Sequence, residues 1–128
     1  MSEAGSGYGL ADQHDEARVP APAIAYEPPR PKAYRPAVGL IGCGGISEYH
    51  LAAYRELGLD VVALCDIDQE RAASRKEAFY PDAELYTDAM ALLARDDIEV
   101  VDVATHPAER VPIVEAALKA KKHVLSQK

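Results

Sequence analysis

Gly42, Gly44 and Gly45 stand in the run Val38-Gly39-Leu40-Ile41-Gly42-Cys43-Gly44-Gly45-Ile46, and Asp66 closes the next apolar run, Val61-Val62-Ala63-Leu64-Cys65-Asp66. A short apolar strand, a turn almost bare of side chains and an amphipathic helix let a pyrophosphate approach the backbone. The phosphate charge then meets the unpaired N–H groups and the dipole of the helix N-terminus. An acid about 20 residues further on can accept hydrogen bonds from a ribose hydroxyl. Asp66 has that spacing, and it would repel an added 2′-phosphate, so the pattern favours NAD over NADP. Ile67 is not basic, and Arg71 belongs on the solvated face of the following helix.

Other nucleotide chemistries fit less well. A phosphate-binding loop of the Gly-Lys-Ser/Thr type needs a lysine after the glycines, and none is there. A fold binding S-adenosylmethionine also uses a Gly-Cys-Gly turn, but usually with an acid just before it, where this chain has Leu40-Ile41. It stays the alternative nucleotide reading. Gly42-x-Gly44-x-x-Ser47 has serine at the third glycine position, where only a small residue is needed for helix–strand packing.

Of the histidines, His50 and His123 have no metal-spaced partner and read as packing or surface residues. His106 follows a strand at the expected ligand edge; it either lines the pocket or fills the turn before Pro107. Asp102 is an acid within an apolar strand, so it needs a polar edge or a partner. Cys43 and Cys65, the only cysteines, make neither a disulfide framework nor a metal site.

The elements that must position these groups are set by the apolar pattern. Strands are expected at Val38–Cys43, Val61–Asp66, Glu84–Tyr86, Ile98–Ala104 and His123–Ser126. A first helix runs from Ile46 to Leu57, with Ile46, Tyr49, Ala53 and Leu57 as its inner face, and Gly58 stops it. A second runs over Gln69–Phe79, capped by Asp68 and ended by Pro81, which leaves Asp66 for the ribose. Thr87 or Asp88 caps a third, with Ala89, Leu92 and Leu93 inward. Pro107 opens a fourth that reaches Lys121, with Ile113, Ala117 and Ala120 inward. Strands alternating with helices imply a parallel sheet covered on both faces, with the ligand at the carboxyl ends of the strands.

Residues 1–36 differ from the rest. Six of the nine prolines lie between Pro20 and Pro36, as in an extended, solvated arm. The expectation is a disordered tail, with a docking role for Tyr26 and Tyr34 as the alternative. The 128 residues are enough for one domain, expected over 37–128, and a net charge of −7 argues against nucleic acid, which needs a basic face. No apolar run approaches the roughly 18 residues of a membrane span. The N-terminus lacks the basic and apolar regions of a secretory signal, so a reduced, cytoplasmic setting is expected.

Val38–Ile46, Cys65-Asp66, Arg71-Ala72, Ile98–Thr105 and the ending Lys122-His123-Val124-Leu125-Ser126-Gln127-Lys128 together resemble the glucose–fructose oxidoreductase/inositol dehydrogenase (Gfo/Idh/MocA) family. The resemblance covers residues 37–128. It implies an α/β domain, a Rossmann-type doubly wound parallel sheet, truncated before a C-terminal substrate domain. It implies that Gly42, Gly44, Gly45 and Ile46 surround the pyrophosphate and that Asp66 holds the adenosine ribose. Thr105 and His106 match a Thr-Pro pair along the cofactor. Gln127 and Lys128 match a Glu-Lys pair, whose lysine stands beside the nicotinamide and serves the substrate oxygen.

The resemblance further implies an NAD-dependent oxidoreductase moving hydride to or from a sugar, a polyol or a related hydroxyl or keto compound. The isolated chain would bind cofactor without turnover. In such families the absent domain carries the substrate pocket and a sheet through which a homo-oligomer can form. Four departures stand out. Gln127 replaces glutamate, which keeps open a sensor or scaffold that binds NAD without catalysis. His106 replaces proline, Arg110 replaces a frequent histidine, and Lys121 replaces the glycine that suits a helix C-terminus.

Overall fold

The computed structural model describes residues 19–128. The first half of the expected arm, residues 1–18, lies outside the described residues. Residues 19–36 contain no helix or strand, and Tyr26 and Tyr34 are exposed. The chain divides between Arg30 and Pro31. The unit after that break holds all the regular structure among the described residues.

Five strands and four helices alternate: β1 (Ala37–Ile41), α1 (Ser47–Glu56), β2 (Asp60–Cys65), α2 (Gln69–Phe79), β3 (Glu84–Tyr86), α3 (Ala89–Leu93), β4 (Ile98–Val103), α4 (Pro107–Lys119) and β5 (His123–Ser126). Every pairing is parallel, and the spatial order is β3-β2-β1-β4-β5. The order reverses at β1, so the chain winds outward in both directions from the centre. This is the Rossmann-type doubly wound sheet, with its switch point between β1 and β4.

Two apolar clusters cover the two faces. One joins Leu51 of α1 and Ala72 of α2 to Val38, Leu40, Val61 and Leu64. The other joins Leu92 and Leu93 of α3 and Ala117 of α4 to Ile41, Ala63, Val101 and Val103. Strand residues alternate between the clusters, as burial on both faces requires, except where the register shifts near Val62 of β2 and Glu99 of β4 put Val61 and Leu64 in one cluster and Ile98 and Val101 in the other. At Gly39 the β1–β2 register shifts, and an added Cβ would lie 2.8 Å from Leu92 Cδ2. A glycine here lets α3 sit directly on the central strand.

Most expected boundaries hold within a residue or two. β1 and β2 begin and end earlier than expected; at β1 the strand stops because Gly42 leaves the strand conformation at φ 101°. The inner face of α1 is different. Ile46, Tyr49, Ala53 and Leu57 are all exposed, and the buried stripe is Ser47 and Leu51, flanked by half-buried His50 and Tyr54. Three polar side chains face inward because each finds a hydrogen-bond partner there, which an apolar pattern cannot show. On α4, Ile113 and Ala117 face the core, but Ala120 is exposed, because it is the residue at which the helix ends. No helix among the described residues is long and apolar enough to cross a membrane.

Candidate cofactor site

The glycine turn is pressed against the exit of β4. Gly42 N–H donates to Cys65 O at 2.8 Å, and Ala104 N–H donates to Ile41 O at 2.8 Å. A Cβ on Gly42 would meet the backbone of Ala104 and Thr105 at 2.8 to 2.9 Å, and the φ of 101° already disfavours any side chain. Gly44 and Gly45 are the opposite case: a Cβ on either would meet nothing within 4 Å. The outer side of the turn is bare backbone facing open space.

Asp66 ties this turn to β2. Its Oδ2 accepts from Cys43 N–H and its Oδ1 from Asp68 N–H, each at 2.8 Å. The carboxylate is therefore not left free by Asp68, as the sequence suggested. Asp68 does cap α2, accepting from Glu70 and Arg71 N–H, yet Asp66 holds two backbone donors as well. Asp66 is nearly buried but lines the cleft, and each of its oxygens keeps a second acceptor position.

A cleft of about 320 Å³ lies at the carboxyl ends of the strands, between the glycine turn and the start of α4. Gly42, Gly44, Asp66, Thr105 and His106 line it, together with apolar Ile41, Ala89 and Ile113. A second, more open cleft passes Gly44, Gly45, Arg71, Arg75 and His106. His106 precedes α4 and makes no side-chain cap, so it stands at the mouth of both. Ile46, Gln127 and Lys128 line neither. Ile46 is half exposed at the start of α1. Gln127 N–H donates to Val103 O at 3.1 Å, and its Oε1 accepts from Lys128 N–H at 2.9 Å. Lys128 is exposed beyond β5.

Three features suit a dinucleotide. The turn cannot carry a side chain at Gly42 and has room over Gly44 and Gly45. The Thr105 hydroxyl is buried without a hydrogen-bond partner, as expected of a group that meets a ligand. Glu109 and Arg71 add one charge of each sign at the rim. Arg110, set apart in the sequence by its departure from histidine, donates from Nη2 to Thr105 O at 2.9 Å and so braces the same segment.

Below the site, Cys43 and Cys65 are buried and unpaired. Burial, and then the Asp66 charge, push the Cys43 thiol up to about 12 and the Cys65 thiol up to about 11. Asp102 is fully buried in β4. Its Oδ2 accepts from Tyr54 Oη at 2.5 Å and lies 2.7 Å from His50 Nδ1. His50 is thus a partner of Asp102, a pairing that no local spacing reveals. No group of three or more metal-ligating side chains occurs among the described residues.

Known proteins share this architecture. Residues 37–128 match the profile of the oxidoreductase family with an NAD-binding Rossmann fold, Gfo/Idh/MocA. The chain belongs to the Gfo/Idh/MocA family. It is 41% identical over 90 residues to D-apiose dehydrogenase of Paraburkholderia graminis, a match that covers 70% of this chain and 24% of that enzyme. Myo-inositol dehydrogenase from Lactobacillus casei, solved with NAD(H) and myo-inositol, superposes with a TM-score of 0.71 at 31% identity. That match covers 74% of this chain and 29% of the dehydrogenase. A 3-ketoreductase variant from Actinomadura kijaniata, solved with TDP-benzene and NADP, gives 0.66 at 33% identity, covering 73% and 30%. This Gfo/Idh/MocA chain therefore matches between 24% and 30% of the length of such relatives.

Proposed function

We propose that this Gfo/Idh/MocA chain is the cofactor-binding part of an oxidoreductase that moves hydride between NAD and a sugar, polyol or related hydroxyl or keto compound. The observation that carries the reading is the glycine turn. It is locked at Gly42, empty of side chains at Gly44 and Gly45, and tied through Cys43 to a carboxylate at the cleft. The pyrophosphate would lie over Gly44, Gly45 and Ile46, at the N-terminus of α1. Asp66 would take a ribose hydroxyl on its remaining acceptor positions, which favours NAD over NADP. Thr105 would spend its unpartnered hydroxyl on the cofactor, and His106 and Gln127 would border it.

When bound, the nicotinamide supplies the hydride acceptor or donor. Lys128 would serve the substrate oxygen, holding a proton at Nζ for the alcohol–carbonyl interchange. The substrate class comes from the apiose and inositol dehydrogenases that this chain resembles. A binding module that holds NAD without turnover is the second reading. It is favoured by Gln127, whose carboxamide replaces the carboxylate and is turned onto the Lys128 amide.

Calorimetric titration with NAD, NADH and NADP tests the cofactor assignment. The expected order is NAD and NADH bound, NADP weaker; absence of binding by all three overturns it. Steady-state NAD reduction by a polyol and sugar panel, in a protein carrying this chain with a substrate domain, separates enzyme from sensor.

A further inference from the structure

Resting on that cofactor assignment, we propose that Arg75 is a positioning residue that sets the Gly44–Gly45 peptide for anion binding. Arg75 lies on α2, on the second turn after the cap, and reaches back to the start of α1. Its Nε–H donates to Ser47 Oγ at 3.1 Å and its Nη2–H to Gly44 O at 3.3 Å. Ser47 in turn donates to Gly44 O from Oγ at 2.5 Å and from its amide at 3.1 Å. The Gly44 carbonyl thus has three donors, and the guanidinium fork holds both the carbonyl and the hydroxyl that grips it.

The consequence comes from peptide planarity. In a trans peptide, the carbonyl of Gly44 and the N–H of Gly45 point in opposite directions. Pinning the carbonyl toward Ser47 and Arg75 turns the Gly45 N–H away from them. Among the described residues no acceptor takes the N–H of Gly44, Gly45 or Ile46. Gly44 and Gly45 themselves have open space around them. A two-glycine segment has little side-chain packing to fix its peptide plane, and glycine tolerates the flipped form. In that form a carbonyl, not an N–H, would face the phosphate. Ser47 is fully buried and Arg75 is about four-fifths buried, which makes the fork a fixed support rather than a solvated contact. Glu48 stands 4.0 Å from Arg75 on its exposed side and competes weakly.

The test compares ADP, which brings the pyrophosphate, with adenosine, which does not, on the full chain and on Arg75→Met, Arg75→Lys and Ser47→Ala. Charge-assisted hydrogen bonds of this kind translate to about tenfold in affinity or more. The expected result is an about tenfold loss for ADP in both Arg75→Met and Arg75→Lys, with adenosine unchanged. Ser47→Ala should lose as much, and the Ser47→Ala, Arg75→Met pair no more than either alone. Native ADP affinity in Arg75→Lys would mean that charge alone acts, and it overturns the positioning role. So would an equal loss for ADP and adenosine, the mark of general loosening. Arg75→Lys keeps the packed stem and serves if Arg75→Met does not fold. Failure of the native chain to bind either ligand overturns the cofactor assignment as well.

Discussion

Asp66 Oδ2 accepts the Cys43 amide at 2.8 Å, so the acid that ends β2 and the turn that leaves β1 form one hydrogen-bonded unit. Its other oxygen holds the Asp68 amide that leads into α2. Replacing Asp66 therefore has two effects. Asp66→Ala should weaken NAD binding and narrow the preference over NADP. It should also cost about 1–3 kcal/mol of stability, because two amide donors lose a charged acceptor. Asp66→Asn, which keeps one carbonyl oxygen, should lose less stability. Parallel urea melts and NAD and NADP titrations separate the two. An unchanged NAD affinity in Asp66→Ala would sink the ribose role.

The glycines of the turn should divide by mutation. Gly42→Ala meets β4 backbone and an unfavourable φ, and should cost about 2 kcal/mol or more. Gly45→Ala meets nothing within 4 Å, so its stability should stay within about 0.5 kcal/mol of native while NAD affinity falls. Thermal unfolding with and without NAD gives both numbers. A Gly45→Ala chain that binds NAD normally would show that the ligand does not approach this backbone.

Much of this site is legible in sequence because it is local. The strand, the glycine turn, the following helix and the acid at fixed spacing need only short-range rules, and the Asp68 cap and the extent of α2 come from the same rules. The buried face of α1 was not legible. Ser47 could be read as a small packing residue and His50 as a packing or surface residue, but their partners, and the inward turn of Tyr54, appear only when the fold places Gly44, Arg75 and Asp102 beside them. Asp102 could be recognised as a buried acid in need of a partner, but His50 lies 52 residues away. Arg75 gave no signal for the same reason: its acceptors lie in the glycine turn and on another helix.

The His50–Asp102–Tyr54 cluster should behave as a structural unit. Its carboxylate is buried, and Asp102 Oδ1 has no hydrogen-bond partner. Removing His50 leaves the Asp102 carboxyl with Tyr54 as its one side-chain partner among the described residues. His50→Ala should destabilise the chain by about 1–3 kcal/mol, the range for leaving a buried polar group short of a hydrogen bond. His50→Ala with Asp102→Ala should cost less than the sum of the two. A double-mutant cycle by urea unfolding measures this, and strict additivity would show that the contact contributes nothing.

Lys121 carries backbone strain where a glycine would not. α1 and α4 end in the same motif, with paired bonds from the two residues after each cap back into the last turn. At α1 the left-handed residue is Gly58, φ 70°; at α4 it is Lys121, φ 60°. Lys121→Gly should therefore raise stability by about 1 kcal/mol, the left-handed penalty less the entropy glycine returns to the unfolded chain. A lower melting temperature in Lys121→Gly would show that the lysine side chain offsets its backbone cost.

The two thiols give the chain an alkaline limit. Cys43 is pushed to about 12 and Cys65 to about 11 from an ordinary value near 9, by burial first and then by Asp66. Above pH 9 the unfolded chain loses these protons while the folded chain keeps them. The folded state then binds more protons, so stability must fall as pH rises. The slope is at most about 1.4 kcal/mol per pH unit for each thiol. It should run from about pH 9 to 11 for Cys65 and on to about 12 for Cys43. Well below the ordinary thiol value neither group contributes a slope. Urea midpoints at about pH 8 and about pH 10 should differ more in the native chain than in Cys65→Ala, which keeps the small volume but not the titration. At neutral pH both thiols should resist a disulfide reagent until the chain unfolds, since the thiolate is the reactive form. Rapid labelling of Cys43 in the folded chain would mean that the turn opens well below the free energy of global unfolding.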